Sequence, residues 1–291
     1  KLIKHLRLDG QVTSVTTTSL GKRQVVYGLA DGTARVVLPE FVVTYPNDKR
    51  MTDAVLKYPL GEEPIVLDEQ GRAIVSLAYE ATSNLAVFAA ATADGDTLLT
   101  ARVGEENFLS GEVEWVTERY SLPKLPGTVD QILLTPDLRY LLARSGNLLS
   151  IFDIRDLHNI RLSSAIQINA KGGNVTQLAL LSGASSLLVA NDNGVISQWF
   201  EVLRDGRREF THIREFTASG PVRELAVEHS RKGFMALSAD NHVDLFHATG
   251  QSRLLSEVIG QGRIDTLVLS PRNNSLLVES GERFQFFHVK N

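Results

Sequence analysis

Seven histidines, 34 acidic residues and no cysteine are what this chain of 291 residues offers for chemistry. A zinc site of the HExxH type needs two histidines one helical turn apart. His5, His158, His212, His229, His242, His247 and His288 supply no such pair. Without cysteine there is no thiolate metal site, no cysteine nucleophile and no disulfide. SLGKR at 19–23 lacks the GxxxxGK spacing of a phosphate loop, and LSGASS at 181–186 is not a GxSxG nucleophile elbow; both read as turns. Asp153 and Asp156 in FDIRD could be taken for a carboxylate pair, but short acids at such a place accept hydrogen bonds from turn amides. No catalytic residue, metal or cofactor is assigned, and the chain is read as a non-enzyme.

The polar residues that do recur are positioned by a repeat. An apolar residue, two others and an alternating apolar run begin at Val12, Ile74, Val129, Val175, Val222 and Ile264, roughly 42 to 62 residues apart, the spacing of propeller blades. Each run leads through a polar turn to a second apolar strand, as in SNLAVF, RYLLA and KGFMAL. A tight turn follows each time: Asp31-Gly32, Asp94-Gly95, Ser145-Gly146, Asn193-Gly194, Asp240-Asn241 and Ser280-Gly281, residues that accept positive φ. A third strand, such as GVISQWFEV or HVDLFHA, and a more polar fourth, such as VEWVTERYS or REFTHIREF, close most units, with AVLKYPL as the fourth strand of the first. Four antiparallel strands per unit predict an all-β propeller in a single domain over 1–291.

Six blades are expected. The sixth unit stops after its third strand, and KLIKHLRL at the start lacks an inner partner, so residues 1–8 are expected to complete the last blade and remove an open edge. Seven blades is the alternative, because the wide gap between Val12 and Ile74 has room for an irregular one.

Two sets of candidate binding residues follow. The second residue of each innermost strand recurs as Thr13, Val75, Asp130, Thr176, Arg223 and Asp265, near the expected entrance of a central channel. Thr13, Asp130, Thr176, Arg223 and Asp265 could hold a small anion or cation there, or neutralise one another through Arg223 and Asp265. Trp115, Trp199, Phe200 and Phe210 look exposed on third and fourth strands and could anchor a partner. The stretch from Pro46 to Glu63 reads as the longest irregular insertion, and with it Tyr58, Glu62 and Glu63 become partner-binding candidates.

The net charge of −4 and a pI near 6.0 leave no broad basic field for nucleic acid. No run reaches the roughly 18 apolar residues of a membrane span. The chain begins at Lys1 with neither methionine nor a signal-peptide pattern, and reads as a fragment of something longer.

The stretches GGNVTQLALLSGASSLLVANDNGVISQWFEV, HIREF, RKGFMALSADNHVDLFHATGQSRLL and TLVLSPRNNSLLVES resemble the large soluble insertion in long PstC-type permease subunits of phosphate ABC transporters. LRLDGQVTSVTTT and KYPLGEEPIVL are similar as well, so the resemblance covers most of the chain. It implies a place on the periplasmic side of the bacterial inner membrane within a multi-pass protein. It further implies a role in phosphate uptake, with a periplasmic phosphate-binding protein and the other transporter subunits as partners. The isolated chain is expected to be monomeric.

Overall fold

The computed structural model describes residues 10–18, 24–106, 113–169, 171–181, 186–204, 207–228, 232–260, 262–270, 273–281 and 283–289. The expected strand at 1–8 and its closure of the last blade lie outside these residues, as do SLGKR and most of LSGASS.

The first sheet contains β1 (Val12–Thr17), β2 (Val25–Leu29), β3 (Thr33–Thr44) and β4 (Met51–Lys57), with β5 (Ile65–Val66) paired to the start of β3. The second contains β6 (Ile74–Ala81), β7 (Leu85–Thr92), β8 (Thr97–Glu106) and β9 (Val113–Tyr120). The third contains β10 (Gln131–Leu134), β11 (Tyr140–Ser145), β12 (Leu148–Asp153) and β13 (Arg161–Gln167). The fourth contains β14 (Val175–Leu180), β15 (Ser186–Asn191), β16 (Val195–Arg204) and β17 (Arg207–Thr217), and the fifth β18 (Val222–Val227), β19 (Gly233–Ser238), β20 (His242–His247) and β21 (Ser252–Val258). The sixth shows β22 (Thr266–Leu269), β23 (Ser275–Ser280) and β24 (Arg283–His288). Each sheet runs in chain order apart from β5, and the wide gap after Val12 holds the long β3–β4 hairpin and β5 of the first sheet, with no additional sheet among the described residues. Among the described residues no helix is long and apolar enough to cross a membrane.

The turns explain the meander. Gly32, Gly95, Gly146, Gly194, Asn241 and Gly281, one after each second strand, all have positive φ, which glycine and asparagine adopt at little cost. The second strands read as nearly continuous apolar runs because both their faces are covered: β15 and β19 are buried at every position. The fourth strands are largely exposed, as their polar alternation predicts.

The chain divides into two compact units, 1–145 with 151–163, and 146–150 with 164–291. In the first, Val26, Val36, Ile65 and Ile74 form one core with Tyr79 and Phe88, and Val87, Leu99, Ile132, Leu141 and Phe152 form another. Gly28 in β2 permits the close approach of β6, since a Cβ there would lie 2.9 Å from Ile74 Cγ2. In the second unit, Leu188, Ile196 and Val222 surround Phe216, Phe234 and Phe246, whose ring centroids are 5.0 to 5.5 Å apart. Met235, Leu237, Ile264, Leu276 and Val278 carry the core on to the sixth sheet.

Candidate interaction surface

The innermost strands share one device. Thr13, Val75, Thr176 and Arg223 are each the extra residue at a shift of register between first and second strands. Asp130 donates its backbone N–H to the Arg144 carbonyl that Gln131 also faces, and Asp265 donates likewise to Glu279 opposite Thr266. A bulge frees one side chain per sheet from strict alternation.

Those side chains serve mostly backbone groups. Thr13 Oγ1 donates to Ile74 O at 2.6 Å, with Gly28 O a more distant acceptor at 3.2 Å, and Thr176 Oγ1 donates to Ala190 O at 3.1 Å. Asp130 pairs with Arg144 at 3.3 Å, while Val75 is 46% exposed. The expected Arg223–Asp265 neutralisation is replaced. Arg223 donates to Ile264 O at 2.6 Å, and the Asp265 carboxylate accepts from Gly281 N at 2.6 Å, because the bulge aims Arg223 at the carbonyl of the residue before Asp265.

One position further on, side chains tie neighbouring innermost strands together. Ser76 Oγ accepts from Ile132 N at 3.0 Å, Gln177 Oε1 accepts from Leu225 N, and Glu224 accepts from Leu267 N at 3.0 Å and from Thr266 Oγ1 at 2.6 Å. Burial pushes the Glu224 carboxyl above its ordinary range, against the pull of those two hydrogen bonds. The sequence offered these as ordinary polar residues on alternating strands.

Asp153 and Asp156 behave as turn residues: Asp153 accepts from Arg155 N at 3.1 Å, and Asp156 accepts from His158 N at 3.0 Å. His247 and His288 are equivalent, facing Gly233 and Ser275 at the starts of the second strands. Among the described residues no three His, Asp or Glu are grouped as metal ligands.

The aromatic candidates divide. Trp199 is 8% exposed, with Nε1 donating to Ser197 Oγ at 3.0 Å and its ring 5.3 Å from that of His212, and Phe210 is buried as well. Both were expected to be exposed; their strands pack inward at these positions. Phe200 is partly exposed, and Trp115 packs half-buried against the Val26–Phe88 core.

The stretch expected to be an irregular insertion contains one strand, β4, and apart from that strand and a short 3-10 turn it is irregular. A short 3-10 turn at Pro46–Asp48 and residues 49–50 join β3 to β4, and the chain is irregular again after Lys57. There Tyr58 packs against Tyr27 and Leu29, Leu60 is buried, Arg35 Nη1 donates to Glu62 O at 2.6 Å, and the Glu62 and Glu63 side chains are exposed.

The pairing of β3 with β4 separates two faces. Pro39 lies opposite Leu56, Phe41 opposite Ala54 and Val43 opposite Thr52, so one face carries no charge. On the other, Glu40 faces Val55 and Val42 faces Asp53, with Lys57 paired to Glu40 at 2.9 Å. Phe41 and Tyr45 are each 64% exposed, and Val42, Val43 and Met51 are exposed too. Exposed apolar side chains thus stand on both faces of the hairpin, with Phe41 and Val43 on the uncharged one.

No family model matches the chain, and no curated protein matches it either. Solved structures do. The chain is similar to the β-propeller domain of Cps50 (Swd1) from Myceliophteria thermophila, with a TM-score of 0.59 and 15% identity over 99% of this chain and 100% of that one. It is also similar to a chain in the crystal structure of the mitotic checkpoint complex, with a TM-score of 0.59 and 14% identity over 96% of this chain and 75% of that one. The fold is a six-bladed β-propeller.

Proposed function

We propose that this chain is a non-catalytic protein-interaction module that serves phosphate uptake on the periplasmic side of a bacterial inner membrane, docking a periplasmic phosphate-binding protein to its permease. The observation that carries the interaction role is the β3–β4 hairpin, whose uncharged face presents Phe41 and Val43. A two-stranded ribbon with bare apolar side chains is weakly stable by itself and gains from a partner laid on it. Glu62 and Glu63 add exposed charge on the segment that follows. The transporter setting rests on the resemblance to long PstC-type permeases. The likeness to a chain solved within the mitotic checkpoint complex supports a protein partner in general.

The test is a calorimetric titration of the chain with the cognate phosphate-binding protein, with and without phosphate, repeated with Phe41→Asp. Binding that depends on phosphate and is lost in the variant supports the reading. Absence of binding in both states, or binding indifferent to the variant, overturns it.

A further inference from the structure

We infer that a cleft between the fourth and fifth sheets, within the second unit, binds the apolar C-terminal residue of a polypeptide. This site is independent of the hairpin and of the transporter reading. It encloses about 300 Å³, at the small end of ligand pockets.

A bulge builds it. Gln198 on β16 faces Arg214 on β17, yet the next residue, Trp199, faces His212, so Ile213 is an extra residue in β17. Consecutive residues of a regular strand point to opposite faces. Here the bulge breaks that alternation, and Ile213 and Arg214 both line the cleft.

Its chemistry has three parts. Leu181, Phe200, Ile213 and Ala248 supply apolar wall. Arg214 and Lys232 supply positive charge, and among the described residues no acidic side chain lines the space. Arg214 Nη1 is fixed by the carbonyls of Ala248 at 2.6 Å and Thr249 at 3.0 Å, which leaves other guanidinium donors for an anion. Lys232 is exposed and has no ion pair among the described residues.

The third part is an acceptor. Gln198 is 5% exposed and its Nε2 donates to Ser186 Oγ at 3.0 Å, but its Oε1 has no partner among the described residues. That oxygen is covered in the empty cleft, so a ligand donor meets it only when the Gln198 amide turns toward the space it lines, and pairing a costly unpaired acceptor offsets the turn. A C-terminal residue carries an apolar side chain, a carboxylate and a backbone N–H within a few bonds, matching the wall, the two cations and the Gln198 oxygen. An N-acyl amino acid offers the same groups without a chain.

The experiment titrates the full chain by calorimetry with acetyl-Gly-Ala-Leu as free acid, with its C-terminal amide, and with N-acetyl-leucine. The free acid is expected to bind, and the amide to bind roughly tenfold more weakly, since the charge-assisted bonds are lost. Lys232→Ala and Gln198→Met, checked for wild-type melting temperature, each weaken the free acid several-fold. No saturable binding of the acid up to about 10 mM overturns the proposal. So does equal binding of acid and amide, or indifference to both variants. Binding of N-acetyl-leucine as tight as the tripeptide overturns the assignment to a chain end.

Discussion

The Thr13 hydroxyl, on the innermost strand of the first sheet, donates to the carbonyl of Ile74 at the start of the innermost strand of the second, at 2.6 Å. It reaches there because Thr13 is the extra residue of a bulge. Thr13→Val keeps the shape and removes the donor to Ile74 O. The expected loss is about 1 to 2 kcal/mol in chemical denaturation, with Thr13→Ser close to wild type. Equal stability of the Val variant would show that the contact is not formed in solution.

Gly28→Ala places a methyl group 2.9 Å from Ile74 Cγ2, inside van der Waals contact. The first and second sheets must then shift where β2 meets β6, at a cost of about 1 to 3 kcal/mol. A melting temperature unchanged from wild type would refute the close approach.

Trp199 separates core from interface. Trp199→Ala removes a buried ring and should cost about 3 to 5 kcal/mol, whereas Trp199→Phe loses chiefly the bond to Ser197 and should cost about 1 kcal/mol. An alanine variant that folds as well as wild type but loses partner binding would restore Trp199 to the interface.

Two carboxylates titrate with opposite sign. The Arg72 side chain, hydrogen-bonded to Asp68, holds that carboxyl below its ordinary value, so Asp68 contributes stability above its unfolded value and loses it as pH falls through the folded one. Glu224 is raised by burial, so it binds its proton more tightly when folded, and stability declines as pH rises from its unfolded to its folded value. Melting curves across the acid range should therefore show Asp68→Asn losing least against wild type at the lowest pH. Glu224→Gln should gain on wild type as pH rises through the carboxylate range. The reverse trend in either variant would contradict the assigned environment.

The hairpin tip should be dispensable for folding. Phe41→Ser and Val43→Ser remove side chains that are exposed and make little core, so stability should stay within about 0.5 kcal/mol of wild type. A large loss would place these residues in a core.

What the sequence determined by itself was local or periodic. The positive φ at Gly32, Gly95, Gly146, Gly194, Asn241 and Gly281 follows from residue type, and the recurring apolar runs dictate one four-stranded unit after another. Tertiary structure decided which apolar residues are covered. Trp199 and Phe41 are both aromatics in alternating strands, yet one packs inward and the other stands bare on a ribbon that outruns its sheet. Alternation reports two faces of a strand, and coverage depends on which other strands arrive. The bulges at Thr13, Arg223 and Ile213 escaped for the same reason, since an extra residue is defined only against a partner strand. The unpaired oxygen of Gln198 is likewise a property of its surroundings rather than of glutamine.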